Sequence, residues 1–296
     1  MNTDFRTEGV RYLFDVHVHL FPPEVTCYIE RYTAADPFLR QICSSKGHKY
    51  ATVEDLLQEM ERCGVEITAA SGFAAKDQGL CRLMNDYVLE AARRYPGRLL
   101  AMAVVSPSQP GLEQEIRRAV EGGAVGVGEL FPWGQGFPLD GKGAARLAGL
   151  CREGRLPLLL HVNEIVGHQY AGKGDISIKE AALFAADHGE QDIIFAHWGG
   201  GLLFYELMPE LRRQLQRVYY DTAAGPFLYD PKIYRVIREI GALSRVLLGS
   251  DYPLISPLRY RRQMEQAGLT PGEIELICGK NARKLFFRTE QHMHTD

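Results

Sequence analysis

The side chains best able to do chemistry in this 296-residue chain begin with two imidazoles in Phe14-Asp15-Val16-His17-Val18-His19-Leu20. Along a β-strand, residues i and i+2 share a face, so His17 and His19 can offer two nitrogens to one cation. Alone, the pair fits equally well a strand that carries two histidines for packing. Four more groups of ligand type follow, each at the end of a short apolar run: Glu129, His161, His197 and Asp251. Singly, each has a structural reading as a hydrogen-bonded histidine, a helix cap or an ion-pair partner. Jointly they point to a metal site, because several polar groups converging on one axis are costly unless something binds them.

The elements that would position them are legible in the same runs. Apolar stretches at 13–18, 65–71, 99–105, 124–129, 157–161, 193–197, 218–221 and 246–250 alternate with stretches of helical period. From the fourth run onward the ends fall 32, 36, 24 and 29 residues apart, and one βα unit takes roughly 30. Continuous apolar strands alternating with helices imply a parallel sheet covered by helices. The length fits either one α/β barrel or two smaller domains, and in a barrel the site would lie at the C-terminal strand ends. Thr52-Val53-Glu54-Asp55 before Gly64, and Thr270-Pro271-Gly272-Glu273, read as capped helix starts.

Two segments break the rhythm. Residues 20–50, with Tyr28, Arg31, Tyr32, Phe38 and Arg40, form an insertion after strand 1, far longer than the two to six residues or so of an ordinary βα loop. It reads as a lid over the strand ends, a packing excursion, or a contact between copies in a homodimer. Residues 131–140 carry Trp133 and follow the fourth strand, which makes them a pocket wall. The tail at 288–296 repeats His-x-His at His292 and His294, but termini fray and no metal site is expected there.

Composition limits the partners. Thirty-four basic against 37 acidic residues give a net charge of −3, so no bulk field draws the chain to nucleic acid or an anionic membrane. Small-molecule chemistry is expected instead. Six dispersed cysteines without Cys-x-x-Cys read as reduced thiols. No stretch approaches the ~18 apolar residues of a membrane span, and a cytoplasmic location is expected.

With Phe21-Pro22-Pro23, Gly249-Ser250-Asp251-Tyr252-Pro253 and Asn281-Ala282-Arg283-Lys284-Leu285-Phe286 added to the histidines, the chain resembles the amidohydrolase superfamily. The likeness is to the amidohydrolase-related branch that includes aminocarboxymuconate semialdehyde decarboxylase and resorcylate decarboxylases. That resemblance implies a (β/α)8 TIM barrel, a single α/β domain over 1–296, binding one or two divalent ions, and imidazole and carboxylate ligands together suit Zn or Mn. His17, His19 and Asp251 would hold the first, His161 would ligate a second or stand beside the first, and His197 would ligate or orient. Asp251 would also shuttle a proton, and His197 would stabilise a developing oxyanion.

Glu129 departs from the decarboxylase pattern. Val127-Gly128-Glu129-Leu130 instead resembles the fourth strand of TatD-like metallohydrolases, whose glutamate bridges two metals. The expected activity is therefore hydrolysis of a small ester, lactone or amide. The alternatives are decarboxylation of a cyclic or unsaturated carboxylic acid, or a TatD-like nuclease. A barrel serving only as a scaffold would have no physical reason to keep six costly polar groups. Trp133, Asn163, His168, Lys173 and Trp198 are the expected substrate contacts. Gly199-Gly200-Gly201 is a weak signal for a phosphate cradle, Asp15 is expected to support the histidine pair, and Asp221 fits either a structural bond or a site role.

Overall fold

In the computed structural model, which describes residues 13–174 and 176–287, all eight apolar runs form strands. They are β1 (Leu13–His19), β2 (Val65–Ser71), β3 (Leu99–Ala103), β4 (Ala124–Leu130), β5 (Leu158–Leu160), β6 (Ile193–Phe195), β7 (Val218–Asp221) and β8 (Val246–Leu247). Each pairs in parallel with the next in chain order. Past β8 the chain returns to β1: Val16 N–H donates to Leu248 O (2.9 Å), Asp251 N–H to His17 O (2.9 Å) and His19 N–H to Tyr252 O (2.8 Å). These bonds bring the sheet round into the expected (β/α)8 barrel.

Two apolar layers hold it. Inside, Phe14, Val16, Ile67, Ala69, Met102, Leu159, Ile194, Tyr219 and Leu247 form one buried cluster. It is capped at the N-terminal end by the helix Asn281–Phe286, with Phe14 and Phe286 ring centroids 5.5 Å apart. Outside, the other face of the strands packs on the amphipathic helices; Leu112, Ile116 and Ala119, for example, form the buried stripe of Leu112–Glu121. The capping boxes at Thr52/Asp55 and Thr270/Glu273 are formed, and Gly64 closes the helix Val53–Cys63 in the left-handed region. No described helix is long and apolar enough to cross a membrane.

Four strands end earlier than the apolar runs suggest. β3 stops at Ala103, and β5, β6 and β8 stop at Leu160, Phe195 and Leu247, so His161, His197 and Asp251 lie beyond the strands. His197 and Asp251 adopt φ of 56° and 59°, left-handed values that leave the strand ladder and that non-glycine residues hold only where their surroundings impose them.

The insertion forms three short helices, Pro23–Cys27, Ile29–Thr33 and Pro37–Cys43. Asp36 ties it down, accepting Leu39 N–H (3.0 Å) and Lys76 N–H (2.8 Å). The tail at 288–296, with His292 and His294, lies outside the described residues.

Candidate metal centre

The pairing of β1 with β2 carries one extra β1 residue between Asp15 and Val18. Such a bulge changes which face the following side chains take. Phe14 and Val16 thereby pack in the barrel interior while His17 and His19, further along, reach the same axis. On β4, Gly128 has φ 122°, and a Cβ there would lie 2.1 Å from Leu159 O. Only glycine permits that approach, which delivers Glu129 to the barrel mouth.

The other nitrogen of each imidazole sets its tautomer. His17 Nδ1 lies 2.7 Å from Asp221 Oδ2, His197 Nδ1 3.2 Å from Ala223 O, and His19 Nδ1 3.4 Å from Gly72 O. With those nitrogens donating, the three Nε2 atoms turn lone pairs inward. His17 Nε2 and His19 Nε2 are 3.1 Å apart. They stand 3.4 and 3.3 Å from Glu129 Oε2, and 3.8 and 3.6 Å from Asp251 Oδ1. Glu129 Oε1 faces a second pair, His161 Nδ1 at 3.0 Å and His197 Nε2 at 3.3 Å, themselves 3.1 Å apart. Both groups, His17/His19/Glu129 and Glu129/His161/His197, have the compactness to hold a metal ion.

Acceptors this close repel unless positive charge lies among them, so the donor set fits divalent cations. The titration behaviour expresses the same demand. Burial opposes charge on His17, yet Glu129 and Asp221 hold its pKa well above the ordinary value. Burial likewise opposes charge on His197, which the hydrogen bond and charge of Glu129 lift to about 9. Burial alone would raise Glu129, but His17 and His161 hold it well below the usual carboxylate range.

Two aspartates support the imidazoles. Asp221, fully buried, takes His17 Nδ1–H on Oδ2 and the backbone N–H groups of His197 (2.9 Å) and Ala223 (3.0 Å) on Oδ1. Asp15 acts on backbone instead, accepting from His17 N–H (3.2 Å) and Ser250 N–H (2.9 Å), while burial pushes its pKa up to about 6.

Above these groups opens a cavity of about 530 Å3 with His19, Glu129, His161, His197 and Asp251 at its floor. Phe21, Phe73, Phe131, Phe227, Leu228 and Leu254 form its walls, and the insertion contributes Ile42, Ser45, Gly47, His48 and Lys49. Burial pushes His48 down to about 4. The insertion thus faces the cavity through its last third; Tyr28, Arg31, Tyr32, Phe38 and Arg40 do not line it.

The five expected substrate contacts are placed unevenly, and only His168 lines this cavity. Trp133 is half-exposed and edge-on to Phe38 at 5.7 Å, with Phe131 taking the wall position. Asn163 is buried, bonding Glu164 O, Gly174 O and Gly174 N–H to shape its loop. Lys173 Nζ donates to Val166 O and His168 O. Trp198 is fully buried against Tyr234. The glycine triplet continues a left-handed turn from His197, and a Cβ on Gly200 would meet Asn163 O at 2.4 Å. It turns the chain inside the protein and offers no open phosphate cradle. Phe21, Phe73 and Phe227 line the cavity without a signal in the sequence, since apolar type alone does not separate wall from core.

The fold and the paired donor groups define an enzyme of the metal-dependent barrel class, and the family comparison agrees. Residues 14–288 match the family model described as Amidohydrolase, so the chain belongs to the amidohydrolase family. A comparison with curated proteins finds no match. Among solved structures, a putative amidohydrolase from Staphylococcus aureus is similar at TM-score 0.67 and 19% identity, over 93% of this chain and 99% of that one. A 5-carboxyvanillate decarboxylase from Novosphingobium aromaticivorans, solved with manganese, is similar at TM-score 0.72 and 16% identity, over 94% and 96%. A probable 2-pyrone-4,6-dicarboxylic acid hydrolase from Acinetobacter baumannii is similar at TM-score 0.63 and 18% identity, over 93% and 99%. Several other similar structures are decarboxylases. At these identities the likeness shows the fold alone.

Proposed function

We propose that the chain is a metal-dependent hydrolase of a small ester, lactone or amide. The observation that carries this reading is Glu129, whose two oxygens face different imidazole pairs, Oε2 toward His17 and His19 and Oε1 toward His161 and His197. A carboxylate shared in this way suits two cations, a common arrangement for hydrolytic sites. Bound divalent cations would supply the charge that acidifies a water and polarises a carbonyl. His17 and His19 would hold one ion with Asp251, and His161 and His197 the other, with Glu129 common to both.

The rest of the chemistry belongs to the chain. Asp251 has 16% of its side chain exposed at the cavity floor, against 2% for Glu129, so it is the carboxylate a water can reach. Asp251 accepts the proton of the attacking water and returns it to the leaving group, as general base and then acid. Asp221 keeps His17 and His197 in place meanwhile. With Nδ1–H on Ala223 O and Nε2 turned to Glu129, His197 is suited to hold a cation, and this tautomer leaves no N–H to donate to an oxyanion.

Decarboxylation is the second reading, and on the comparisons alone it is the better supported. There Asp251, protonated, would give its proton to the carbon that CO2 leaves. The nuclease reading is not adopted, because a cavity walled by phenylalanines does not track a phosphate backbone. The test is to load the purified protein with Mn or Zn and offer esters, lactones and amides with acid release followed, and hydroxybenzoates with CO2 release followed. Acid release that disappears in Asp251→Asn supports hydrolysis. CO2 release without acid release overturns it in favour of the second reading.

A further inference from the structure

Asp251 sits where the chain has no regular element to hold it. β8 ends at Leu247, and Asp251 takes a left-handed φ of 59°, a conformation that a non-glycine residue keeps only when its surroundings over-determine it. The hydrogen bonds of residues 249–251 show what does so. Gly249 N–H donates to Thr222 Oγ1 (3.1 Å), whose hydroxyl donates back to Gly249 O (2.9 Å). Ser250 N–H donates to Asp15 Oδ1 (2.9 Å), and the Tyr260 hydroxyl donates to Ser250 O (2.7 Å). Asp251 N–H donates to His17 O (2.9 Å), and Asp251 O accepts from Leu254 N–H (2.8 Å).

The peptide plane between Ser250 and Asp251 is thus held at both ends, its carbonyl by Tyr260 and its N–H by His17 O. A peptide unit is rigid. Pinning both polar groups fixes the plane from which φ of Asp251 is measured, and with it the direction of the carboxylate, 3.8 and 3.6 Å from His17 Nε2 and His19 Nε2. Of the partners, His17 is itself a ligand-type residue, Asp15 and Thr222 lie within two positions of His17 and Asp221, and Leu254 lines the cavity. Tyr260 stands apart from both. It is fully buried in the helix Pro257–Gln266 and does not line the cavity.

We propose that Tyr260 is a positioning residue for Asp251: its hydroxyl, acting through Ser250 O, keeps the carboxylate aimed at the imidazole groups and the cavity floor. This rests on Asp251 as cation ligand and proton carrier, roles that the hydrolase and decarboxylase readings share. Without the hydroxyl, Ser250 O loses that bond, the plane is free to turn, and the left-handed φ relaxes.

Tyr260→Phe keeps the ring in its slot and removes only the hydroxyl. Mn affinity, measured by competition with a chromogenic chelator, should fall about 10-fold in Tyr260→Phe. It should show no further fall when the same change is made in Asp251→Asn, because the two side chains act through one carboxylate. On whichever substrate the protein turns over, kcat should drop about 10-fold or more with KM within about twofold, assayed well below the Tm recorded for each variant. A lower Tm with affinity and kcat unchanged would make Tyr260 structural only and overturn the inference. An equal loss of affinity in the parent and Asp251→Asn backgrounds would overturn it as well. Coupled loss of affinity without turnover of any ester, lactone, amide or hydroxybenzoate sinks the catalytic readings and leaves the positioning role standing.

Discussion

The two ends of the barrel are made from the same strands and solve opposite problems. At the N-terminal end Phe14 and Val16 of β1 meet Ile67, Met102 and Leu247 under the lid of Phe286 and Phe287. Three residues further along the same strand, His17 and His19 face Glu129, Asp251 and two more imidazoles. The first end gains stability from every group it buries, about 1.5–3 kcal/mol for a large apolar side chain. The second buries polar groups whose attraction needs added cations. The stability of the protein and its chemistry are thus separable along a few residues of one strand, and substitutions at the two ends should fail in different ways.

The largest effect is expected at the mouth. Asp251→Asn and His161→Ala should each remove turnover, by about 10²–10⁴-fold for the proton-transfer group, while circular dichroism and Tm stay near those of the parent. Retained turnover in either would sink the assignment. Phe14→Ala should do the reverse. It leaves a hole in the interior layer and should lower unfolding free energy by about 3–5 kcal/mol in urea titrations, with metal content per folded chain unchanged.

A smaller effect tests the link between the metal groups. Asp221→Asn disturbs both the His17 imidazole and the His197 backbone, so metal affinity measured by competition with a chromogenic chelator should fall by about 10–100-fold. Loss confined to one ion, or no loss, would show that Asp221 only braces the backbone. The smallest belongs to Trp133, which is half-exposed behind Phe38. Trp133→Ala should leave kcat/KM within about twofold, in the range of ordinary surface substitutions.

The same contrast explains what the sequence could and could not reveal. The strands were readable because parallel strands buried on both faces are uninterrupted apolar runs, as in Leu158-Leu159-Leu160. The six ligand-type residues stand out only jointly: each alone has a structural reading, but several polar groups converging on one axis are costly unless something binds them. Trp198 and the glycines beside it misled because residue type carries no sign of φ. A left-handed turn from His197 onward swings the indole into the core, away from the cavity. Asp221 remained ambiguous because its role depends on His17, 204 positions away in the chain. The outer wall was least visible. Phe21 and Phe73 follow β1 and β2 and Phe227 lies in the short helix Gly225–Leu228 after β7, and whether such residues face a cavity or a core depends on chain paths that no local pattern encodes.

If Glu129 serves two cation groups at once, elemental analysis of protein purified with Mn or Zn finds two ions per chain, falling to one or none in Glu129→Gln with the fold intact. A single ion in the parent, with content unchanged in Glu129→Gln, would contradict it.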